Sequence, residues 1–149
     1  MDIKDIKNAP WLMSQEAFEI YSQCMYQADI EEYMLEIAEL SAKKAVHIFA
    51  AVQNNQYTGI IVLEQAANGA EIIGIAVKKE FQHCGTGKFM VYSAMQILNP
   101  RLLTAETDSG AVDFYRKSGF AVKEFVRHFP DADVTRYNCQ LDNSQKLPR

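Results

Sequence analysis

Two glycines spaced one residue apart, Gly85 and Gly87, lie between an apolar, strand-like segment and a helical pattern. Glycine allows the backbone to approach a ligand closely and to adopt positive φ angles. The unpaired N–H groups and the dipole at the start of a helix attract an anion, typically a phosphate. Lys78, Lys79 and Lys88 add positive charge around the glycines. The segment therefore predicts an anion-binding loop.

Two familiar nucleotide-binding motifs do not describe this loop. A Walker A loop requires a glycine where Gln82 stands and a serine or threonine where Phe89 stands. A dinucleotide-binding motif requires a glycine where Met90 stands. Both motifs are excluded, so the predicted anion-binding loop is of another type.

The elements that must position this loop follow from hydrophobic periodicity and from turn signals. Ser14 and the pair Asp29 and Glu32 predict the starts of two helices. Asn68-Gly69 predicts a type I′ hairpin turn, in which both central residues have positive φ. The remaining segments comprise strands over 46–53, 58–65 and 71–77, a helix over 85–98, a strand over 101–106, a helix over 109–118, and strands over 120–129 and 135–141. A further first strand over 3–7 is left open.

This order of elements predicts an α/β (α+β) fold with a mixed, mostly antiparallel central sheet of six to seven strands and about four flanking helices. The 149 residues correspond to a single domain. Residues 142–149 are mostly polar and are predicted to form a loose tail.

Composition excludes several classes of function. The net charge of −4 argues against a general nucleic-acid binder, which needs a basic surplus. Three separated cysteines and three histidines lack metal-ligand spacing, so we expect no metal and no disulfide framework. The N-terminus does not resemble a signal peptide, and no apolar run is long enough for a membrane span. These features predict a soluble, cytoplasmic protein without a membrane partner.

Charge is unevenly distributed along the chain. Residues 1–40 carry nine acids and two bases, whereas the remainder carries ten acids and thirteen bases. Ordinary solvated helix faces would explain this difference. The alternative is an acidic N-terminal lobe that faces a cationic substrate, with a basic remainder that faces an anionic one.

The six residues from Gln82 to Gly87 resemble the pyrophosphate loop of the GNAT superfamily of acetyl-CoA-dependent N-acetyltransferases, whose pattern is Gln/Arg-x-x-Gly-x-Gly/Ala. Residues 104–120 resemble a second segment of that superfamily, in which a helix carrying Phe114-Tyr115 ends in Gly119-Phe120. The resemblance extends over residues 3–141 and is specific over 71–120. It departs from the commoner pattern at Gln82, where arginine is more frequent.

The resemblance implies acetyl-CoA as cosubstrate and assigns residues to it. The main chain of the fourth strand would bind the pantetheine arm, and the backbone N–H groups of the loop would bind the pyrophosphate. The implied contacts are Ile75, Ala76, Val77, Gln82, His83, Cys84, Gly85, Thr86, Gly87, Lys88 and Phe114. Gly74 stands either at a β-bulge that opens a slot for the cofactor or in a plain strand.

The resemblance also implies a general acid. Tyr115 matches the tyrosine that protonates the departing CoA sulfur in many members, and this role is favoured over that of an aromatic packed under the cofactor. Glu71 matches a strand glutamate that acts as base, fourteen residues before Gly85. Glu106 and Asp108 compete with it, either of which could instead cap the next helix, and a base acting through water is also open.

The predicted function is transfer of the acetyl group of acetyl-CoA to a primary amine of a small molecule or peptide. Asp29, Glu31, Glu32 and Glu36 form a predicted acidic rim that suits a cationic amine. One alternative is a non-catalytic acyl-CoA-binding module, and a weaker one is a protein-interaction domain that binds no CoA. A homodimer is left open, because the first strand and hence the sheet edge are uncertain.

Overall fold

The computed structural model describes residues 1–143, which form seven strands around which four α-helices pack. Their bounds are β1 (Asp2–Asp5), α1 (Gln15–Tyr21), α2 (Ile30–Ser41), β2 (Val46–Gln53), β3 (Gln56–Ala66), β4 (Gly69–Val77), α3 (Thr86–Leu98), β5 (Leu102–Thr107), α4 (Val112–Lys117), β6 (Ala121–His128) and β7 (Asp133–Asp142). Short 3₁₀ turns lie at Pro10–Met13, Ser22–Cys24 and Lys79–Phe81.

The strands form one sheet in the order β1-β2-β3-β4-β5-β7-β6. All neighbours are antiparallel except β4 and β5, which are parallel and are joined through α3. The first strand does form, since Asp2 pairs with Val52 and Asp5 with Phe49. The mixed, mostly antiparallel sheet predicted from the sequence is confirmed.

The type I′ turn lies at a different hairpin from the predicted one. Asn54 and Asn55, between β2 and β3, have φ angles of 53° and 61°, as both central residues of that turn require. The prediction for Asn68-Gly69 is wrong, because neither residue has positive φ and Gly69 already pairs with Ala66 as the first residue of β4. A larger residue does not fit at position 69 for a steric reason: a Cβ there would meet the backbone carbonyl of Leu102 on β5.

The helices divide between the two faces of the sheet and bury a core on each. Helices α1 and α2 cover one face, where Tyr33 and Ile37 are fully buried beside β2 and β3. Helices α3 and α4 cover the other face, where Met90, Val91 and Tyr115 pack on β3, β5 and β7. Capping residues act as the sequence predicts, since Ser14 Oγ accepts from Ala17 N and Asp29 forms a capping box with Glu32.

The C-terminal strand is longer than predicted. Asp142 belongs to β7, and the next residue, Asn143, donates its backbone N–H to Arg101 O. The rest of the predicted tail, residues 144–149, lies outside the described residues. Within residues 1–143 the longest helix has 13 residues, and none has the length and hydropathy that a membrane span requires.

Candidate active site

A cleft opens between β4 and β5, because these two strands pair over only three residues. Gly69–Glu71 of β4 pair with Leu102–Thr104 of β5, and the strands then separate. From Ile72 to Val77 the edge of β4 that faces β5 therefore has no strand partner. Unpaired main-chain groups along a strand edge can bind an extended ligand.

A β-bulge marks the point at which the strands separate. Val62 pairs with Gly74 and Leu63 with Ile72, so Ile73 is the extra residue on β4. A bulge bends its strand and increases its twist, which directs β4 away from β5. Gly74 next to it has no space for a Cβ, which would contact the Tyr21 hydroxyl and the Cys24 sulfur. The bulge therefore turns β4 away from β5. The missing side chain at Gly74 lets Tyr21 of α1 and Cys24 of the following turn pack against the strand.

The glycine loop lies at one end of this cleft, here named the loop end, where Gly85 precedes α3. Gly85 has φ of +85°, and no atom lies within 4 Å of where a Cβ would stand, so the glycine serves the backbone conformation. His83, also at positive φ, is exposed. Among the described residues, nothing accepts from the backbone N–H groups of Thr86, Gly87 and Lys88. Three donors at a helix start are therefore free to bind an anion.

Gly87 has a different role from Gly85. A Cβ at Gly87 would lie 2.7 Å from the Phe114 ring, so the glycine lets that ring pack against the first turn of α3. Phe114 in turn makes an edge contact with Tyr115 at 5.1 Å between ring centroids. The packing connects the loop to the helix that carries the predicted acid.

Of the three lysines that the sequence singled out, only one lines the cleft at the loop end. Lys88 lines the cleft there, and Lys117 of α4 joins it from the opposite side. Lys78 instead forms ion pairs with Glu16 and Glu80, at 3.8 and 3.9 Å. Sequence analysis missed Lys117, although its spacing of three residues from Phe114 places both on one side of α4.

The side chain of Gln82 is hydrogen-bonded to other residues of the protein. Its Nε2 donates to Val77 O at 3.0 Å and to Gln23 Oε1 at 2.7 Å. The Gln23 amide donates to the same Val77 carbonyl at 3.0 Å. Cys84 is exposed, and its thiol donates to Gln82 O. Both glutamine residues line the cleft, so Gln82 joins the base of the loop to the turn that follows α1.

Tyr115 lies in the wall of the cleft, where it is 5% exposed and packs edge-on against Phe120. Burial raises the pKa of its hydroxyl above the ordinary value, so the group keeps its proton at neutral pH. No residue in 1–143 makes a hydrogen bond with this hydroxyl. A protonated phenol without a protein partner is available to donate to a bound ligand.

The carboxylates proposed as bases lie in different places. Glu71 is exposed on the paired part of β4, opposite Glu64 and Thr104, and is not part of the cleft lining. Glu106 and Asp108 do line the cleft. Asp108 Oδ1 accepts from Gly110 N and Ala111 N, which explains why α4 starts later than predicted.

Glu106 is bound by two arginines. Arg127 Nη2 donates to its Oε1 at 2.7 Å, and Arg136 Nε donates to its Oε2 at 3.0 Å. Burial by itself would raise the pKa of Glu106, but the hydrogen bonds and charges of Arg136 and Arg127 outweigh it and lower the pKa. Glu106 is therefore a weak proton acceptor and a strong ion-pair partner.

The end of the cleft opposite the glycine loop is here named the open end, and it is lined by Glu106, Asp108, Arg136 and Tyr26. Tyr26 is 88% exposed at the rim. Arg136, Tyr26 and Gln23 are not predicted from the sequence, because nothing in local spacing places them in this cleft. The four acids of the predicted rim are not among the lining residues, and Asp29 and Glu32 are engaged in the capping box.

These residues fit an extended acyl thioester with a phosphate at one end. Two adjoining cavities of about 580 and 670 Å³ share Ile75, Ala76, Val77, Gly87 and Phe114 and together run from the glycine loop to the open end. The free N–H groups and two lysines suit phosphates, the unpaired edge of β4 suits an amide-containing arm, and Tyr115 lies between. Residues 1–143 hold no group of three or more His, Cys, Asp or Glu side chains able to bind a metal ion.

A family model matches the sequence, and solved structures match the fold. The model of the acetyltransferase (GNAT) family matches residues 14–120, whereas no curated protein matches in sequence. The fold is similar to that of the ribosomal-protein-S18-alanine N-acetyltransferase from Escherichia coli, with TM-score 0.72, 15% identity, and 99% and 97% of the two chains covered.

Two further solved structures share the fold at low identity. A spermidine N-acetyltransferase chimera from Vibrio cholerae has TM-score 0.75 and 14% identity, and the match covers 99% of this chain and 98% of that one. An acetyltransferase from Elizabethkingia anophelis with acetyl-CoA bound has TM-score 0.63 and 16% identity, with 95% and 97% covered. Since the family model matches well over half of the sequence, the chain belongs to the acetyltransferase (GNAT) family.

Proposed function

We propose that this protein transfers the acetyl group of acetyl-CoA to a primary amine, which is a cation before it reacts. One observation carries the proposal: the glycine loop and Tyr115 line the same cleft. The similar structures from Vibrio cholerae and Elizabethkingia anophelis, one a spermidine N-acetyltransferase and the other with acetyl-CoA bound, support the proposal.

The roles of the residues follow from their places along the cleft. Acetyl-CoA supplies an activated acetyl thioester when it is bound. The N–H groups of Thr86, Gly87 and Lys88, with the Lys88 and Lys117 side chains, hold the phosphates at the loop end. The edge of β4 from Ile75 to Val77, which has no strand partner, orients the arm, and Tyr115 Oη donates its proton to the departing sulfur. One such proton transfer contributes about 10²–10⁴ in rate.

The amine must also lose a proton before it attacks. Glu106 and Asp108 lie at the open end of the cleft, but both already accept protein hydrogen bonds, and Glu106 has a lowered pKa. We therefore favour removal of the proton through water at the open end. Glu71 as the base stays a prediction, and the Glu71→Gln variant tests it: a large fall in kcat would favour that role over water.

The proposal is tested by mixing acetyl-CoA with a panel of amines and following free thiol release, with CoA affinity measured by calorimetry. We expect tight CoA binding and turnover of at least one amine. Binding of CoA without turnover across the panel would favour a non-catalytic acyl-CoA-binding module. Absence of any CoA binding would overturn both.

A further inference from the structure

The open end of the cleft that Tyr115 lines holds an ion-pair group with charges of both signs. Glu106 contributes one negative charge, and the two arginines that bind it contribute two positive ones. Asp108, the other acid at this end, accepts from two backbone N–H groups and brings the sum of these four side chains to zero. An arrangement with both signs of charge suits an acceptor that itself carries both.

Arg136 is the member of this group that presents a positive charge to the cleft. It lines the cleft with Tyr115, and its side chain is 29% exposed. It binds Glu106 through Nε, and no described residue accepts from its two terminal nitrogens. Arg127, in contrast, uses Nη2 for Glu106, lies over the Phe125 ring and does not line the cleft.

The binding of Glu106 also fixes the direction of Arg136. Because Nε is held by Glu106, the planar guanidinium is oriented and its terminal edge stays free. Two parallel N–H donors on that edge match the two oxygens of a carboxylate. An oriented fork loses less side-chain entropy on binding than a free arginine does.

We propose that the acceptor is an amine that also carries a carboxylate, and that Arg136 binds this carboxylate while the amine faces the acetyl group. The inference rests on the proposed acetyl transfer and names the substrate class of that site. Arg136 acts as a specificity-determining residue, and Glu106 positions it.

The test compares three matched sets of acceptors: ω-aminocarboxylates, the corresponding carboxamides and the corresponding diamines. We expect the wild type to prefer the carboxylate over the carboxamide by about tenfold or more in kcat/KM, mainly through KM. The Arg136→Gln variant should reduce this preference to within about twofold, and Arg136→Lys should retain part of it. The Arg127→Gln control, which alters the same ion-pair group outside the cleft, should keep the preference.

Calorimetry with CoA and the melting temperature show whether each variant is folded and binds the cofactor. Preference for carboxamides or diamines in the wild type, or an unchanged preference in Arg136→Gln, would overturn the inference while leaving acetyl transfer intact. Bound CoA with no turnover of any acceptor would instead overturn the proposed function, and the inference with it.

Discussion

The side-chain amides of Gln23 and Gln82 hydrogen-bond to each other at 2.7 Å, and both donate to the carbonyl of Val77. The three residues come from the turn after α1, the glycine loop and the end of β4. One carbonyl thus joins the turn after α1 to the glycine loop.

This relationship predicts energetic coupling between the two glutamines. We expect Gln23→Ala and Gln82→Ala together to cost less than the sum of the single changes, with a coupling of about 0.5–1 kcal/mol in the free energy of unfolding. A double-mutant cycle by urea denaturation measures it. Gln15→Ala, which removes a contact to Glu19 on α1 alone, is the matched control. Strict additivity of the two changes would contradict the coupling.

Gly85→Asp should abolish CoA binding. The site has space for a side chain but φ of +85°, so the variant combines backbone strain of about 1–3 kcal/mol with a negative charge beside the phosphate donors. Calorimetry with CoA measures the loss, and circular dichroism checks the fold. Gly85→Ala, which carries the backbone strain without the negative charge, is the matched control and should retain more CoA affinity than Gly85→Asp. Unchanged CoA affinity in folded Gly85→Asp would mean that the phosphate binds elsewhere.

Tyr115→Phe should lower the rate of acetyl transfer by about 10²-fold or more and leave CoA affinity unchanged, because it removes only the donated proton. Single-turnover kinetics measure the chemical step directly. Since burial raises the pKa of Tyr115, no loss of activity from its ionisation is expected between pH 7 and about pH 10. Tyr57→Phe, whose ring packs on Trp11 away from the cleft, controls for loss of a hydroxyl. An unchanged chemical rate would exclude the acid role.

The Glu106 ion pairs predict a stability difference that depends on pH. Because the pKa of Glu106 is lowered in the folded protein, its contribution is present above the unfolded pKa of about 4.3 and is lost as pH falls through the folded value. The stability advantage of wild type over Glu106→Gln should therefore shrink below about pH 4. Thermal unfolding of both proteins between pH 3 and about pH 7 tests this. A pH-independent advantage for wild type would contradict the assignment.

Cys24 should resist alkylation although part of the residue is exposed. Its sulfur lies beside Gly74 and Tyr21, and burial of the thiol raises its pKa to about 12. At pH 8 only about one thiol in 10⁴ is then ionised, and the thiolate is the reactive form. Iodoacetamide labelling followed by mass spectrometry should modify exposed Cys84 well before Cys24. Equal labelling rates would show that the Cys24 thiol is solvated.

Local sequence signals predicted the fold and the glycine loop because each of these depends on neighbours in the chain. Ser14 and Asp29 cap their helices through backbone groups three residues away, and Gly85 precedes α3 in the conformation that its residue type allows. Runs of β-branched and apolar residues likewise predicted β2 and β3, whose central residues are buried almost without interruption. The first strand was the exception, because a strand of four residues, three of them exposed, carries little pattern.

What the tertiary structure decided is which side chains meet across those elements. Glu106 and Arg136 lie thirty residues apart and meet because β7, rather than β6, pairs with β5. The same long-range packing holds Gln82 on Val77, turns Lys78 toward Glu16 and leaves Glu71 outside the cleft. Strand order and register set these contacts, and no local spacing encodes them. The glycine loop is thus encoded by local sequence, whereas the meeting of Glu106 and Arg136 at the cleft depends on the folded sheet.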